Sequence, residues 1–388
     1  MKIIIVGTGK VGFTLAEHLS REEHDITIID TRDEALERAS DTLDVMCVKG
    51  NGASLSALKE SGVDTADILI AVTNLDEVNM ICCLAGKQLG AKYTIARVRN
   101  YEYTAAQGML KMGMGIDLLI NPENDTAVEI SRILRFPSAA NIETFYRGRV
   151  ELMSFRAREE DFFIGQPLSA LSRKVRDLPI LFCAAERNDE VVIPDGSFIP
   201  HVGDKLYLIG APLGLHGFFE LMGRYAPKIR NVFVVGGGRI SYYLSMLVER
   251  MNMKVTIVER KEDRCRQLSE LLPHSLVING DGTDQNLLES ENLASNDAFV
   301  ALTDRDEDNL IVSLYALQKG LKKVVAKCNR QNYTSIVQHL GLDSVISPKL
   351  ITAGHILQVV RGMQNSKGSV MNALSRIAKG AEEGRRQV

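Results

Sequence analysis

The sequence predicts an α/β chain in which two parallel-sheet domains flank a small α+β lobe, and three observations carry that prediction. Over residues 1–122, β-branched runs alternate with helical patterns; the same order returns from 229; and the stretch between them has the texture of short paired strands. Alternation of strand and helix implies a parallel sheet with helices on both faces.

In the first half the strands fall at 2–6, 25–29, 45–48, 67–72, 94–98 and 117–120, with helices between them. The run Lys2-Ile3-Ile4-Ile5-Val6 leads directly into Gly7-Thr8-Gly9-Lys10-Val11-Gly12. In the second half Asn231-Val232-Phe233-Val234-Val235 leads into Gly236-Gly237-Gly238-Arg239-Ile240-Ser241. An acid ends the next β-branched run 23 residues after the first glycine of each set, at Asp30 and at Glu259. Glycines after a strand plus an acid at the tip of the next strand form a composite Rossmann-like signal, stronger than the glycines alone. The first glycine permits the sharp turn, the second lets backbone N–H groups approach a pyrophosphate, and the third lets helix and strand pack closely. The phosphate then rests on the positive end of a helix dipole. A carboxylate accepts hydrogen bonds from ribose hydroxyls and repels a 2′-phosphate, so the cofactor expectation is NAD(H), ATP or ADP before NADP, softened by Arg32 and Arg260 nearby. The cradles differ: Ser241 replaces the third glycine, and Arg239 replaces Lys10. The first is expected to prefer the dinucleotide and the second ATP or ADP.

The repeat extends well beyond the glycines. Lys49-Gly50-Asn51-Gly52 matches Asn279-Gly280-Asp281-Gly282, and the nine residues from Ala71 to Asn79 match those from Ala301 to Asn309. Ile95-Ala96-Arg97 pairs with Val325-Ala326-Lys327, and the six residues ending at Pro122 with the six ending at Pro348. Two copies of about 120 residues make a duplicated domain rather than a solenoid. Asp76 and Glu77 fall where they favour the amino end of a helix electrostatically.

Residues 141–225 read as strands at 149–155, 179–186, 191–194 and 205–209, a short helix at 167–174, a turn at Asn188-Asp189 and a closing helix at about 213–224. The expected organisation is therefore a first domain at 1–122, a crossover helix and linker at 123–140, the α+β lobe at 141–225, a second domain at 229–348, and a helix to about Gln364 followed by a charged tail within 349–388.

With 388 residues, 45% apolar content and a net charge of −3, the chain has ordinary soluble composition and no basic block for nucleic acid. No apolar run is long enough to span a bilayer and Met1 leads straight into a strand, so the expectation is a cytoplasmic protein that reaches a membrane only through a partner. The six cysteines show no metal or disulfide spacing. No catalytic residues are expected: the α+β lobe offers only His201 and His216, in no recognisable constellation, which weighs against the alternative of an NAD-dependent oxidoreductase and favours a binding module.

The segments MKIIIVGTGKVGFTLAEHL and IIDTRDEAL, the paired VKGNGAS and INGDGTD, the paired AVTNLDEVN and ALTDRDEDN, and PDGSFIPHVGDKLYLIG together resemble the TrkA family of RCK (KTN) proteins over essentially the whole chain. That resemblance implies two RCK units, each a Rossmann-like lobe with a small C-terminal lobe, in a cytosolic regulatory subunit that gates a membrane potassium uptake transporter. It also implies that the sequence stops near where the second small lobe would begin. By the same resemblance, the first site comprises Gly7, Thr8, Gly9, Lys10 and Val11 at the phosphates and Asp30 at the ribose, with Asn51, Thr73, Asn74 and Arg97 lining the rest. The second comprises Gly236, Gly237, Gly238, Arg239, Ile240, Glu259, Asp281, Thr303, Asp304 and Lys327. A TrkH-like membrane subunit is the implied partner, at the cytosolic face of the membrane. The helix after Pro122, with Val128, Ile130, Ile133, Leu134 and Phe136, is implied to cross to a neighbouring subunit, giving dimers and a tetrameric ring.

Overall fold

The computed structural model describes residues 1–105, 107–135, 141–145, 149–171, 175, 178–187, 190–223, 229–321, 323–330, 333, 340–342 and 344–364. Phe136, Arg224, the turn at Asn188-Asp189 and the tail from Ser366 lie outside them.

The first parallel sheet is built from β1 (Lys2–Val6), β2 (Asp25–Asp30), β3 (Met46–Lys49), β4 (Ile68–Ala71), β5 (Tyr93–Arg97) and β6 (Leu118–Ile120), in the order β3-β2-β1-β4-β5-β6. Its central strands are apolar on both faces, as helices on both sides require: Ile3, Ile4 and Ile5 are wholly buried. The strand order reverses between β1 and β4, which opens a crevice at their carboxyl ends.

The α+β lobe is an antiparallel sheet of β7 (Asn141–Phe145), β8 (Val150–Arg156), β9 (Ile180–Arg187), β10 (Glu190–Val192) and β11 (Lys205–Gly210), in the order β10-β9-β11-β8-β7. Strand β7 has no counterpart among the strands expected from the sequence. The core of this lobe is aromatic, with Phe155 and Phe163 packed against Phe218 of the helix Pro212–Leu221.

The second parallel sheet repeats the first. It comprises β12 (Asn231–Val235), β13 (Lys254–Glu259), β14 (Leu276–Asn279), β15 (Ala298–Ala301), β16 (Lys323–Lys327) and β17 (Ser344–Ile346), in the order β14-β13-β12-β15-β16-β17.

The two sheets exchange helices. Helix Pro122–Arg135, which leaves the first sheet, buries Ala127, Ile130 and Leu134 in the core of the second, beside Val232, Val234 and Leu244. Helix Pro348–Gln364, which leaves the second sheet, buries Ala353, Ile356, Leu357 and Val360 against Ile3, Ile5, Leu15 and Leu19 of the first. Burial of Ile356, Leu357 and Val360 alone contributes roughly 5–9 kcal/mol as an upper figure. Polar ties reinforce the exchange: Asn121 Nδ2 donates to Tyr243 Oη at 3.0 Å, His355 Nδ1 lies 2.9 Å from Asp125 Oδ2, and Arg361 pairs with Glu22.

This arrangement corrects one expectation. The helix after Pro122 crosses to the second half of its own chain rather than to a neighbouring subunit: Ile130 and Leu134 are core residues there, Ile133 packs at the edge and Val128 is half-buried. A duplicated chain carries both partners on one polymer, so the local concentration of the second half far exceeds that of another molecule.

Candidate nucleotide site

The first glycine of each set makes the sharp turn that its place at the strand end predicts. Gly7 and Gly236 both adopt φ +98°, a conformation that L side chains rarely reach. A Cβ at Gly12 would stand 1.9 Å from the Gly7 carbonyl oxygen. At the matching position of the second half, Ser241 is accommodated by donating its hydroxyl hydrogen bond to the Gly236 carbonyl. The helices Lys10–Ser20 and Arg239–Glu249 start at Gly9 and Gly238 with no side-chain cap and no acid in the first turn, so their leading N–H groups are free to meet an anion.

The acids at the tips of β2 and β13 shape the loops. Asp30 is buried and accepts from Thr8 N at 2.7 Å, Thr8 Oγ1 at 2.5 Å, Arg32 N at 3.0 Å and Arg32 Nε at 3.2 Å. Burial alone would raise its carboxyl pKa, but the hydrogen bonds from Arg32 and Thr8 outweigh that and hold it at about 2. Both oxygens are therefore engaged, and the exposed Arg32 side chain is the partner that a ribose hydroxyl would displace. Glu259 accepts from Gly237 N at 2.7 Å and Lys261 N at 2.8 Å. Its side chain and Leu268 leave no room for a side chain at Gly237, where a Cβ would fall 2.7 Å from Leu268 Cδ1, 2.9 Å from Glu259 Cβ and 3.0 Å from Glu259 Cγ. Thr with Asp and Gly with Glu are thus two solutions to one packing problem.

In front of the first cradle lies a cavity of about 830 Å3, within the range of ligand pockets. Thr8, Gly9, Lys10, Val11, Asn74 and Arg97 line it from the first half, together with Arg99 and Glu123, while Asn329, Lys349 and Thr352 close it from the second. Lys10, Arg32, Arg38, Arg97, Arg99 and Lys349 bring six cationic side chains to the lining, against only Glu34 and Glu123 as acids. That balance suits a polyanion. Arg97 Nε is buried with no hydrogen-bond partner, and burial together with the nearby Arg99 pushes its guanidinium pKa down. A half-buried guanidinium with an unpaired Nε facing a cavity gains from an anionic ligand.

Other expected residues stand apart from the cavity. Gly7 and Asp30 are not among the lining residues; Asn51 Oδ1 accepts from Ala53 N at 3.0 Å within its own turn. Thr73 is occupied by Asn79, whose Oδ1 accepts from Thr73 N at 2.8 Å and from Thr73 Oγ1 at 2.7 Å. In the second half Asp281 accepts from the backbone and hydroxyl of Thr283, and Thr303 is held by Asn309. Ile240 packs in the core and Arg239 is exposed. Lys327 is buried, its ammonium pKa pushed down by that burial against the pull of Asp304 and Asp306. Asp304 lines a second opening of about 710 Å3 shared with Lys10, Asn329, Arg330 and Lys349.

Sequence reasoning missed Asn79 and Asn309. Both are wholly buried, and through Nδ2 they donate to the carbonyls of Arg97 (2.8 Å) and Lys327 (3.0 Å), tying adjacent strand ends together. Their recurrence at one place in the repeat was an available signal. Asp76 and Asp306 do more than favour a helix end: each accepts from two backbone N–H groups of the loop after the next strand. Lys349 and Asn329 had no sequence signal as partners of the first cradle.

Two uncapped glycine cradles on duplicated parallel sheets define a tandem protein of the dinucleotide-binding fold. The family described as the TrkA-N domain matches residues 3–122 and again 232–348. Over 385 residues the chain is 38% identical to the Trk system potassium uptake protein TrkA of Halomonas elongata, covering 99% of this chain and 83% of that one. Over 374 residues it is 34% identical to the Trk system potassium uptake protein TrkA homolog 2 of Methanosarcina mazei, covering 93% of this chain and 81% of that one. The chain belongs to the TrkA family. Among solved structures the GsuK channel bound to NAD shares the fold, with a TM-score of 0.70 at 18% identity over 94% of this chain and 64% of that one. Among the described residues, no helix is long and apolar enough to cross a membrane, and no cluster of His, Cys, Asp and Glu could hold a metal ion.

Proposed function

We propose that this protein is a non-enzymatic regulatory subunit of a potassium uptake system, which binds NAD(H), or ATP or ADP, in the first cradle and passes the binding event to a membrane-embedded TrkH-like transporter. The observation that carries this reading is the shared cavity: Lys10, Asn74 and Arg97 of one half face Asn329, Lys349 and Thr352 of the other across the same space. A ligand touching both halves has different affinity for different packings of those halves, and that difference is what moves a conformational equilibrium. Inverting a two-state gate from 1:99 to 99:1 takes about a 10⁴-fold difference in affinity, which several coupled sites in an oligomer supply with modest coupling at each.

In this reading Thr8, Gly9, Lys10 and Val11 receive the phosphates at the uncapped helix end, Arg97 neutralises charge deeper in the cavity, and Asp30 meets the adenosine ribose after exchange with Arg32. Support for the potassium system comes from the names of the relatives, and support for NAD from the name of the GsuK structure. The protein works at the cytosolic face of the membrane, as a self-associating ring held there by its partner.

Calorimetric titration with NADH, NADPH, ATP and ADP tests the ligand, and potassium flux into vesicles carrying the transporter tests the coupling. The expected results are NADH bound more tightly than NADPH, binding weakened about tenfold or more by Lys349→Glu, and flux that changes with nucleotide. Flux and complex formation both indifferent to nucleotide would refute the regulatory reading. Sustained oxidation of NADH by the pure protein would favour the oxidoreductase alternative.

A further inference from the structure

We infer that the second cradle is closed by the chain's own Arg264, so that each chain takes up one nucleotide, in the first cradle. This rests on the reading of the first cradle as a nucleotide site.

The internal repeat supplies the comparison. Helices Asp33–Thr42 and Glu262–Leu271 follow the ribose acids Asp30 and Glu259 at the same spacing, so Ala35 and Arg264 hold equivalent places. In the first half this place is a small buried residue lining the cavity, beside Thr8 and Gly9. In the second half it is a guanidinium laid back over the glycine loop. Arg264 Nε donates to the Gly237 carbonyl at 2.7 Å, Nη2 reaches the Gly238 carbonyl at 3.4 Å, and Nη1 donates to Gln267 Oε1 at 2.6 Å. The side chain is half-buried, and that burial, with Arg239 nearby, pushes its guanidinium pKa down against the pull of Glu259.

A sugar resting on Glu259 has to pass between the glycine loop and this helix, the space Arg264 spans. Binding there forfeits charge-assisted bonds that the first cradle never makes, because alanine has nothing to offer the loop carbonyls. Lys349, the second residue of helix Pro348–Gln364, lines the first cavity, and so does the matching residue of helix Pro122–Arg135, Glu123, paired there with Arg99 at 2.6 Å; both exchanged helices thus present their second residue to the first cradle.

The test is calorimetric titration of the full chain with NADH, repeated with ADP, on the wild type, Arg264→Ala, Arg264→Gln and Ala35→Arg, each checked by thermal melting. The wild type is expected to bind one equivalent and both Arg264 variants two, while Ala35→Arg weakens the single wild-type site tenfold or more. Two equivalents of similar affinity in the wild type, or Arg264 variants that stay at one equivalent or bind more weakly, would overturn the inference while leaving the first cradle a nucleotide site. No binding by the wild type or any variant would instead sink the nucleotide reading itself, and this inference with it.

Discussion

Replacing Asp30 by asparagine removes a charge on which the first cradle depends, and the structure sets the size of the loss. The carboxylate pKa lies at about 2 rather than 3.8, held there by Arg32 and Thr8 against burial. At 1.36 kcal/mol per unit the shift corresponds to about 2.4 kcal/mol of stability, and the exposure of the Arg32 side chain trims this to about 2 kcal/mol. Because the folded pKa is depressed, the contribution is fully present above the unfolded value near 4 and disappears as pH falls from about 4 to about 2. An asparagine in the same place also turns an NH2 group toward one of the donors Thr8 N or Arg32 N. Urea unfolding of the wild type and Asp30→Asn at a series of pH values reads the difference directly. The expected gap is about 2 kcal/mol at pH 7, shrinking steadily below pH 4. A gap under about 0.5 kcal/mol at neutral pH, or one that persists unchanged at pH 2, would show that Asp30 does not hold the loop through its charge.

Asn79→Ala leaves Thr73 N and the Arg97 carbonyl without their buried partner and is expected to cost roughly 2–4 kcal/mol; Asn309→Ala should cost the same in the second half, and thermal unfolding of the pair provides an internal replicate. At the crossing of the exchanged helices, the hydrogen bond to Asp125 raises the pKa of His355 above its ordinary 6.5, against burial and Arg132. A raised folded pKa means the pair stabilises fully below the unfolded value and is lost as pH climbs through the folded one. His355→Ala should therefore melt lower than the wild type at pH 6 and converge with it at alkaline pH; a constant difference from pH 6 to 9 would contradict the pairing.

Local chemistry was readable from the chain because it lies within short spans. The strand ends, the turn at Gly7, the close approach at Gly12 and the acids at the tips of β2 and β13 all sit within one strand-helix-strand unit, where spacing dictates geometry. The repeat then made each half a check on the other. What spacing alone does not carry is contact between elements far apart in the chain. Val128, Ile130, Ile133 and Leu134 announce an apolar face, yet nothing in their periodicity states which surface covers it, and only the packed structure places Ile130 and Leu134 beneath the second sheet. Lys349 and Asn329 meet Lys10 only because the exchanged helices bring the two crevices together, and Arg264 closes a cradle through a rotamer that sequence does not encode locally. The sequence by itself determined two nucleotide-type lobes, their order and the residue differences between their cradles; tertiary packing decided that they pair within one chain and which side chains face each cradle, because burial and charge at a shared surface depend on both halves at once.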